Sequence, residues 1–376
     1  MKLSNKIQSI KGSQTVSFTS LIARLRRDGK RIIDFAVGEP QFDTPSEIIE
    51  STKKALAEKN TRYGPIGGLP QLQARLAAQF SGYDADNILI SNGSKQALFM
   101  IFQVICDPLN EVIIPTPFWV SFAEQVKMAG GRPIFVPTKD HQLDCEEIER
   151  AITHKTKAIL INSPNNPTGA VYSALDLKKV AGLAMDHDLF IVADEAYDAF
   201  VYDDITHCSM HDIENISNQT IVTRSFSKNY SMTGFRVGYV AASKTIIAAI
   251  SKLQSHLSGN VCTFAQYGAL TALSLDESFL STWRSELQRK RDIAHQYVTK
   301  LFGCVKPQGA FYLFPDVSTH LKDDETSGRL AERLLEKANV AVVPGEAFGM
   351  ANHLRISFAV SEENLRRGFE QISEVL

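Results

Sequence analysis

Residues 219–242 read QTIVTRSFSKNYSMTGFRVGYVAA. Two β-branched runs, 219–226 and 235–242, enclose a polar turn with Lys228 among hydroxyls and Arg236 eight residues on. Runs this short and this β-branched read as buried strands rather than helices. Outward from here the same rhythm recurs. NILI at 87–90, EVIIPTP at 111–117, RPIFVPT at 132–138, KAILINSP at 157–164 and LFIVADEAY at 189–197 are further strands. Helical patterns separate them, one from about Lys95 and another over 173–186. Such alternation predicts an α/β fold with a mostly parallel seven-stranded sheet between helices.

From about residue 276 the texture changes to a smaller α+β unit. A long charged helix, FLSTWRSELQRKRDIAHQYVTKLF, precedes the strand GAFYLFPDV, the helix SGRLAERLLEKAN, the strands VAVVP and HLRISFA, and a closing helix. Near the amino terminus RIIDFAVGEP reads as a strand over 32–36 running into a rigid loop at Gly38 and Pro40. Pro45 and Pro70 each open a helix, and the Gly- and Pro-rich TRYGPIGGLPQL between them fits no regular element. The expected division is 1–45 joining the small domain, 46–275 as the large domain and 276–376 as the small domain.

The 376 residues hold 40 Lys plus Arg against 42 Asp plus Glu, a net charge of −2, which argues against a nucleic-acid protein that relies on a basic field. Hydrophobic residues make up 44%, enough for a substantial core. No run is long and apolar enough for a membrane span, and MKLSNKIQSIKGSQTVSF does not resemble a secretory signal. Five scattered cysteines without a CxxC fit a reducing cytoplasm. His207, Cys208 and His211 come nearest to a metal cluster. No HExxH or closed ligand set accompanies them, so they read as a surface loop and no metal is expected.

Chemistry collects at the strand ends. After 87–90, Asn92, Gly93 and Ser94 turn the chain into a helix whose first amides form an anion site, although neither a Walker loop nor GxGxxG is present. Asp194 falls where LFIVA ends, a place for ligand-binding groups in α/β sheets and equally for a helix cap. Asn165, Asn166 and Pro167 suit a simple turn or a holder for a polar ring substituent. A lone Lys228 reads as solvated. Four polar strand ends in succession, Ser94, Asn166, Asp194 and Lys228, are far more specific than any one of them.

GEPQFDTP, YGPIGGLPQL, SNGSKQALF, PFWVSF, NSPNNPTGAVYS, DEAYDAF, SFSKNYSMTGFRVGY and LRISFAVSEENL span nearly the whole chain in this order. The set resembles the class I aminotransferases, pyridoxal-phosphate enzymes of fold type I, and among them the bacterial aspartate aminotransferase branch. The resemblance implies a covalent cofactor link at Lys228, an acid at Asp194 paired with the pyridine nitrogen, and donors to the phenolic oxygen at Asn166 and Tyr197. It implies Trp119 stacked on the ring, and Ser94, Ser225 and Arg236 on the phosphate, with Gly93 and Lys95 in the same turn. Tyr63 would reach the phosphate from the other subunit of a homodimer. Arg355 would clamp the substrate α-carboxylate, with Gly38 as a backbone contact.

The implied reaction moves an amino group from an L-amino acid, acidic or aromatic, to a 2-oxo acid such as 2-oxoglutarate by a ping-pong mechanism. A β-elimination lyase, or a cyclase or oxidase of a secondary pathway, would use the same fold. The joint presence of Lys228, Asp194 and Arg355 weighs against a non-catalytic binding module. No arginine lies in 251–270 to hold a distal carboxylate. In the resembled branch a lysine at the position of Lys95 supplies that charge, although Lys95 could equally rest at the helix start with its charge in solvent. Thr15, Val16, Ser17 and Phe18 lie in a segment that resembles a substrate lid.

Overall fold

The apolar runs condense into twelve strands among the described residues: β1 Ile33–Asp34, β2 Ile88–Ser91, β3 Glu111–Thr116, β4 Arg132–Pro137, β5 Thr156–Asn162, β6 Phe190–Asp194, β7 Thr220–Ser225, β8 Gly238–Ala241, β9 Tyr312–Leu313, β10 Val340–Ala341, β11 Val343–Pro344 and β12 Leu354–Ser357. The computed structural model describes residues 3–8, 10, 12, 14–322 and 325–376; the side chains of 5, 6 and 14–20 lie outside that description. The expected lid side chains of Thr15, Val16, Ser17 and Phe18 are among those outside it.

Seven strands form one sheet in the order β2-β8-β7-β6-β5-β3-β4. β8 runs antiparallel to both its neighbours, and the remaining pairs are parallel. The two-residue period of a strand sorts the core. Ala158, Leu160, Val192, Ile221 and Val240 face one helix layer, with Leu98, Ile101 and Phe102 from the helix Gly93–Ile105. Ile159, Ile161, Ile191, Ala193 and Val222 face the other, with Leu177 and Val180 from the helix Ala174–Asp186. Both faces are covered, so the central strands are apolar throughout rather than alternating.

The carboxyl-terminal part builds the antiparallel sheet β11-β12-β9 and the parallel pair β1-β10. Its core joins Leu287, Ala294 and Val298 of the helix Ser278–Val298 to Leu365, Phe369 and Ile372 of the helix Glu362–Val375. Tyr197, Phe200 and Tyr202, just beyond β6, belong to the same cluster. Arg291 reinforces this junction. Fully buried, it reaches Asp203 at 2.7 and 2.8 Å and the Pro307 carbonyl at 3.1 Å, with its guanidinium 4.9 Å from the Tyr202 ring.

Several elements differ from the sequence expectation. The strand expected over 235–242 starts only at Gly238, because Thr233–Phe235 is a 3-10 turn and Arg236 adopts φ 56°. GAFYLFPDV forms a strand at Tyr312–Leu313, with isolated bridges at Gly309 and Asp316. SGRLAERLLEKAN is helical over Ser327–Arg333 and then widens into a π turn, Leu334–Ala338. That wider turn buries adjacent residues in different clusters, Leu334 in the small core and Leu335 against Ile22, Ile32 and Ala341. Gln14–Arg27, Lys244–Leu257 and Thr263–Ala272 are helices that the sequence reading does not assign. The stretch around His207, Cys208 and His211 is not a surface loop: His211, 7% exposed, packs edge-on against Phe80 and Tyr83, with Nε2 3.0 Å from the Ser81 carbonyl.

Candidate active site

Parallel pairing brings the ends of β5, β6 and β7 side by side, with Asn162 opposite Asp194 and Asp194 opposite Thr223. Asn162 donates from Nδ2 to the Asp194 carbonyl at 3.0 Å, and its Oδ1 accepts the Asn166 N–H at 3.0 Å. The two adjacent amides then divide. Asn165 Oδ1 accepts from Thr168 N and Oγ1 and so ties its own turn. Asn166 faces the cavity, where Nδ2 lies 3.5 Å from the Tyr197 hydroxyl and Oδ1 accepts from Arg355 Nη1 at 3.2 Å.

Asp194 is 5% exposed, and its Oδ1 accepts the Ala196 N–H at 3.2 Å. Burial pushes its carboxyl up to about 7, against the opposing pull of that hydrogen bond. Lys228 sits in the short helix Phe226–Asn229 that follows β7, and its Nζ donates to the Gly38 carbonyl. Enclosure by protein pushes its amine down to about 8; Arg355, Arg236 and Lys95 push the same way, and Glu39 opposes them. Burial thus drives an acid and a base toward neutral pH from opposite sides, a pattern typical of reactive groups.

At the other end of the cavity two backbones meet. Gly93 has φ 76°, and a Cβ there would lie 2.5 Å from Arg236 Nη2. A Cβ on Gly238 would lie 2.7 Å from the Ser94 nitrogen. Only glycine permits this approach. No side chain caps the helix Gly93–Ile105 at Asn92, so its first amides stay open to an anion. Arg236 donates to the carbonyls of Thr233 (3.0 Å) and Asn92 (3.3 Å), which aims it at the same turn. Lys95 is not spread into solvent; its Nζ lies 4.9 Å above the Trp119 ring, and burial together with Arg236 lowers its pKa.

Arg355 donates from Nη2 to the Ala36 carbonyl at 2.9 Å and lies 4.4 Å above the Tyr312 ring, while its buried Nε has no partner among the described residues. Tyr312 also shares a 2.9 Å hydrogen bond with the Tyr197 hydroxyl.

Gly38, Ser94, Lys95, Trp119, Asn166, Asp194, Tyr197, Ser225, Lys228, Arg236 and Arg355 all line one cavity of about 670 Å³. Gly93, the residue before Ser94, does not line it. Tyr63 is not brought there and is 99% exposed. The lining also includes Asp34, Glu39, Asn162, Ser227, Thr233 and Tyr312, which the sequence reading does not single out. Asn162 stands at the head of NSPNNPTG and was open to notice; Tyr312 looks like one more core aromatic. Four cations converge with an open helix start and a buried acid. Such a set suits a phosphorylated, ring-nitrogen cofactor with an aldehyde for Lys228 and a carboxylate substrate for Arg355.

The family described as aminotransferase class I and II matches residues 30–372. The chain is similar to a probable aspartate/prephenate aminotransferase of Aquifex aeolicus (strain VF5), 43% identical over 387 residues that cover 100% of this chain and 98% of the relative. To an aspartate aminotransferase of Bacillus subtilis (strain 168) it is 38% identical, covering 99% and 98%. A solved structure of aspartate aminotransferase from Thermus thermophilus with maleate superposes with a TM-score of 0.96 at 39% identity, over 100% of both chains.

The raised Asp194 carboxyl carries a pH signature. Its folded value of about 7 lies above the ordinary 3.8, so across that window the folded chain binds more protons and stability falls as pH rises. In cofactor-free protein, Asp194→Asn should melt near the parent at pH 4 and above it at pH 8, by on the order of 2–4 kcal/mol. Thermal melts across that range check this; an offset independent of pH would rule out the buried carboxylate as its source.

Proposed function

The chain belongs to the class I and II aminotransferase family, and from that premise we propose that it moves the amino group of an acidic L-amino acid, aspartate foremost, to a 2-oxo acid such as 2-oxoglutarate. Pyridoxal 5'-phosphate is the cofactor we assign to the cavity. The observation that carries this reading is the convergence of Lys228, Asp194 and Arg355 on one cavity beside an open helix start.

When bound, pyridoxal phosphate supplies an electron sink for the charge left at the substrate Cα. The protein's parts follow from their surroundings. Ser94, Ser225, Arg236 and the open amides would hold the phosphate. Asp194 is costly to ionise alone and gains most from a cationic partner, so it favours a proton on the pyridine nitrogen. Lys228, with its amine near 8, exchanges a proton readily at neutral pH and can take one from Cα. Arg355 offers a planar fork to the α-carboxylate, and Tyr312 beneath it fixes the plane of that fork. A carboxylate held so presents Cα–H in a fixed direction, a positional gain that belongs to kcat.

Acidic substrates are favoured by the cation at Lys95. Aspartate and prephenate, named for the Aquifex relative, and maleate, in the Thermus structure, all carry a second carboxylate. Lys95 lines the same cavity as Arg355, which supports a role in receiving such a group. We further propose a homodimer: Tyr63 is exposed in its own chain and would complete the phosphate site of a second copy.

Borohydride reduction of the pyridoxal-phosphate-loaded protein, followed by peptide mapping, should place the label on Lys228, and Lys228→Ala should take none. A label on another lysine would overturn the assignment. Sedimentation of the loaded enzyme should give about twice the 41.7 kDa chain mass, and an active monomer would remove Tyr63 from the site. Lys95→Ala should lose roughly 1.5–3 kcal/mol, about ten- to 150-fold in kcat/KM, for aspartate and glutamate but far less for phenylalanine. An equal loss for all three, with weaker cofactor binding, would assign Lys95 to the phosphate turn.

A further inference from the structure

Arg224 stands one residue before Ser225 on β7 but does not line the cavity. Its guanidinium meets Glu195 Oε2 through Nε at 3.0 Å and Nη2 at 2.8 Å, and Asp198 Oδ2 through Nε at 3.2 Å. Glu195 directly follows Asp194. Its carboxylate, 2% exposed, also accepts from Ser209 Oγ at 2.8 Å and the Met210 N–H at 2.9 Å, with His207 Nε2 at 3.5 Å. Asp198 Oδ1 in turn accepts from Asn229 Nδ2 at 2.7 Å, and Asn229 directly follows Lys228. Glu195, Arg224, Asp198 and Asn229 therefore form an unbroken polar chain outside the cavity, from the neighbour of the acid to the neighbour of the lysine.

An ionic set is a costly way to fill space, since apolar side chains of similar volume stabilise an interior as well or better. What directional bonds add is position. On the functional reading above, we propose that Arg224 is a positioning residue: through Glu195 and Asp198 it fixes the placement of Asp194 relative to Lys228, and with it the tilt at which the cofactor ring is held. Arg224, with His207 beside it, also holds the Glu195 carboxyl down at about 2 in spite of its burial.

The test uses loaded enzyme and two variants. Arg224→Gln with Glu195→Gln replaces the central ion pair by neutral amides of similar size. Asn229→Ala cuts the chain at the lysine end and leaves every ion pair in place. Both should weaken the visible circular dichroism of bound pyridoxal phosphate, which reports its orientation. Both should also speed its release and lower kcat for aspartate roughly ten- to a hundredfold, with KM changed less than about threefold because Arg355 is untouched. A lower melting temperature with parental dichroism, release and kcat would overturn the proposal and leave the brace purely structural. Should the double variant not fold, Asn229→Ala decides alone, and parental values there overturn it. Failure of the parent itself to take up a reducible label on Lys228 would instead sink the functional reading, and the brace with it.

Discussion

Parallel pairing in register sets Asn162, Asp194 and Thr223 abreast along one edge of this sheet. The order of the site follows from that edge. Asn162 holds the Asp194 backbone and presents Asn166; Asn166 meets both Tyr197 and Arg355. β7 runs two residues further, to Ser225, and delivers Lys228. A shift of one residue in any pair would turn these groups into the opposite helix layer, because neighbouring residues face opposite sides. Ile159 and Ile161 pack into one helix layer and Leu160 into the other, so the core and the chemistry share the same strands.

That edge is also where burial acts against charge. The protein keeps both Asp194 and Lys228 in surroundings that disfavour their ionised forms. The groups nearby only partly relieve the cost, which is the expected state of a site that waits for a ligand with matching charges. Glu195 is treated differently one residue away. It is equally buried, yet Arg224 and His207 stand beside its carboxylate, which also accepts from Ser209 and Met210, and its pKa falls instead of rising. Adjacent acids in the chain thus serve opposite ends, one left unsatisfied toward the cavity and one fully paired behind it.

Much of this was legible in the sequence because a polar group at the end of an apolar run is conspicuous. Ser94, Asn166, Asp194 and Lys228 stand out in that way, and the structure gathers all four in one wall. Groups with less local contrast escaped. Tyr312 lies among other aromatics in GAFYLFPDV, and its place beneath Arg355 and its bond to the Tyr197 hydroxyl separate it from Phe311 or Phe314. Nothing near Arg224 in TIVTRSF signals a partner from another strand. The left-handed turn at Arg236 was hidden for another reason: arginine has no preference for positive φ, and its side chain is tied to the Asn92 carbonyl across the neighbouring turn. Tyr63 lacks any signal within a single chain, since its proposed role needs a second copy.

The pairing of β1 with β10 has a consequence for how the chain is made. Ile33 and Asp34 meet Val340 and Ala341, and Phe35 packs against Phe369, 5.4 Å between ring centroids. On a ribosome the early strand must therefore wait while roughly 300 further residues are added, about 15–60 s at ordinary elongation rates. Through that interval Ile32, Ile33 and Phe35 have no permanent cover, although the large sheet can already assemble from residues synthesised before 276. A nascent chain with this topology leaves an apolar segment without its native partners until residues 340–369 have been made.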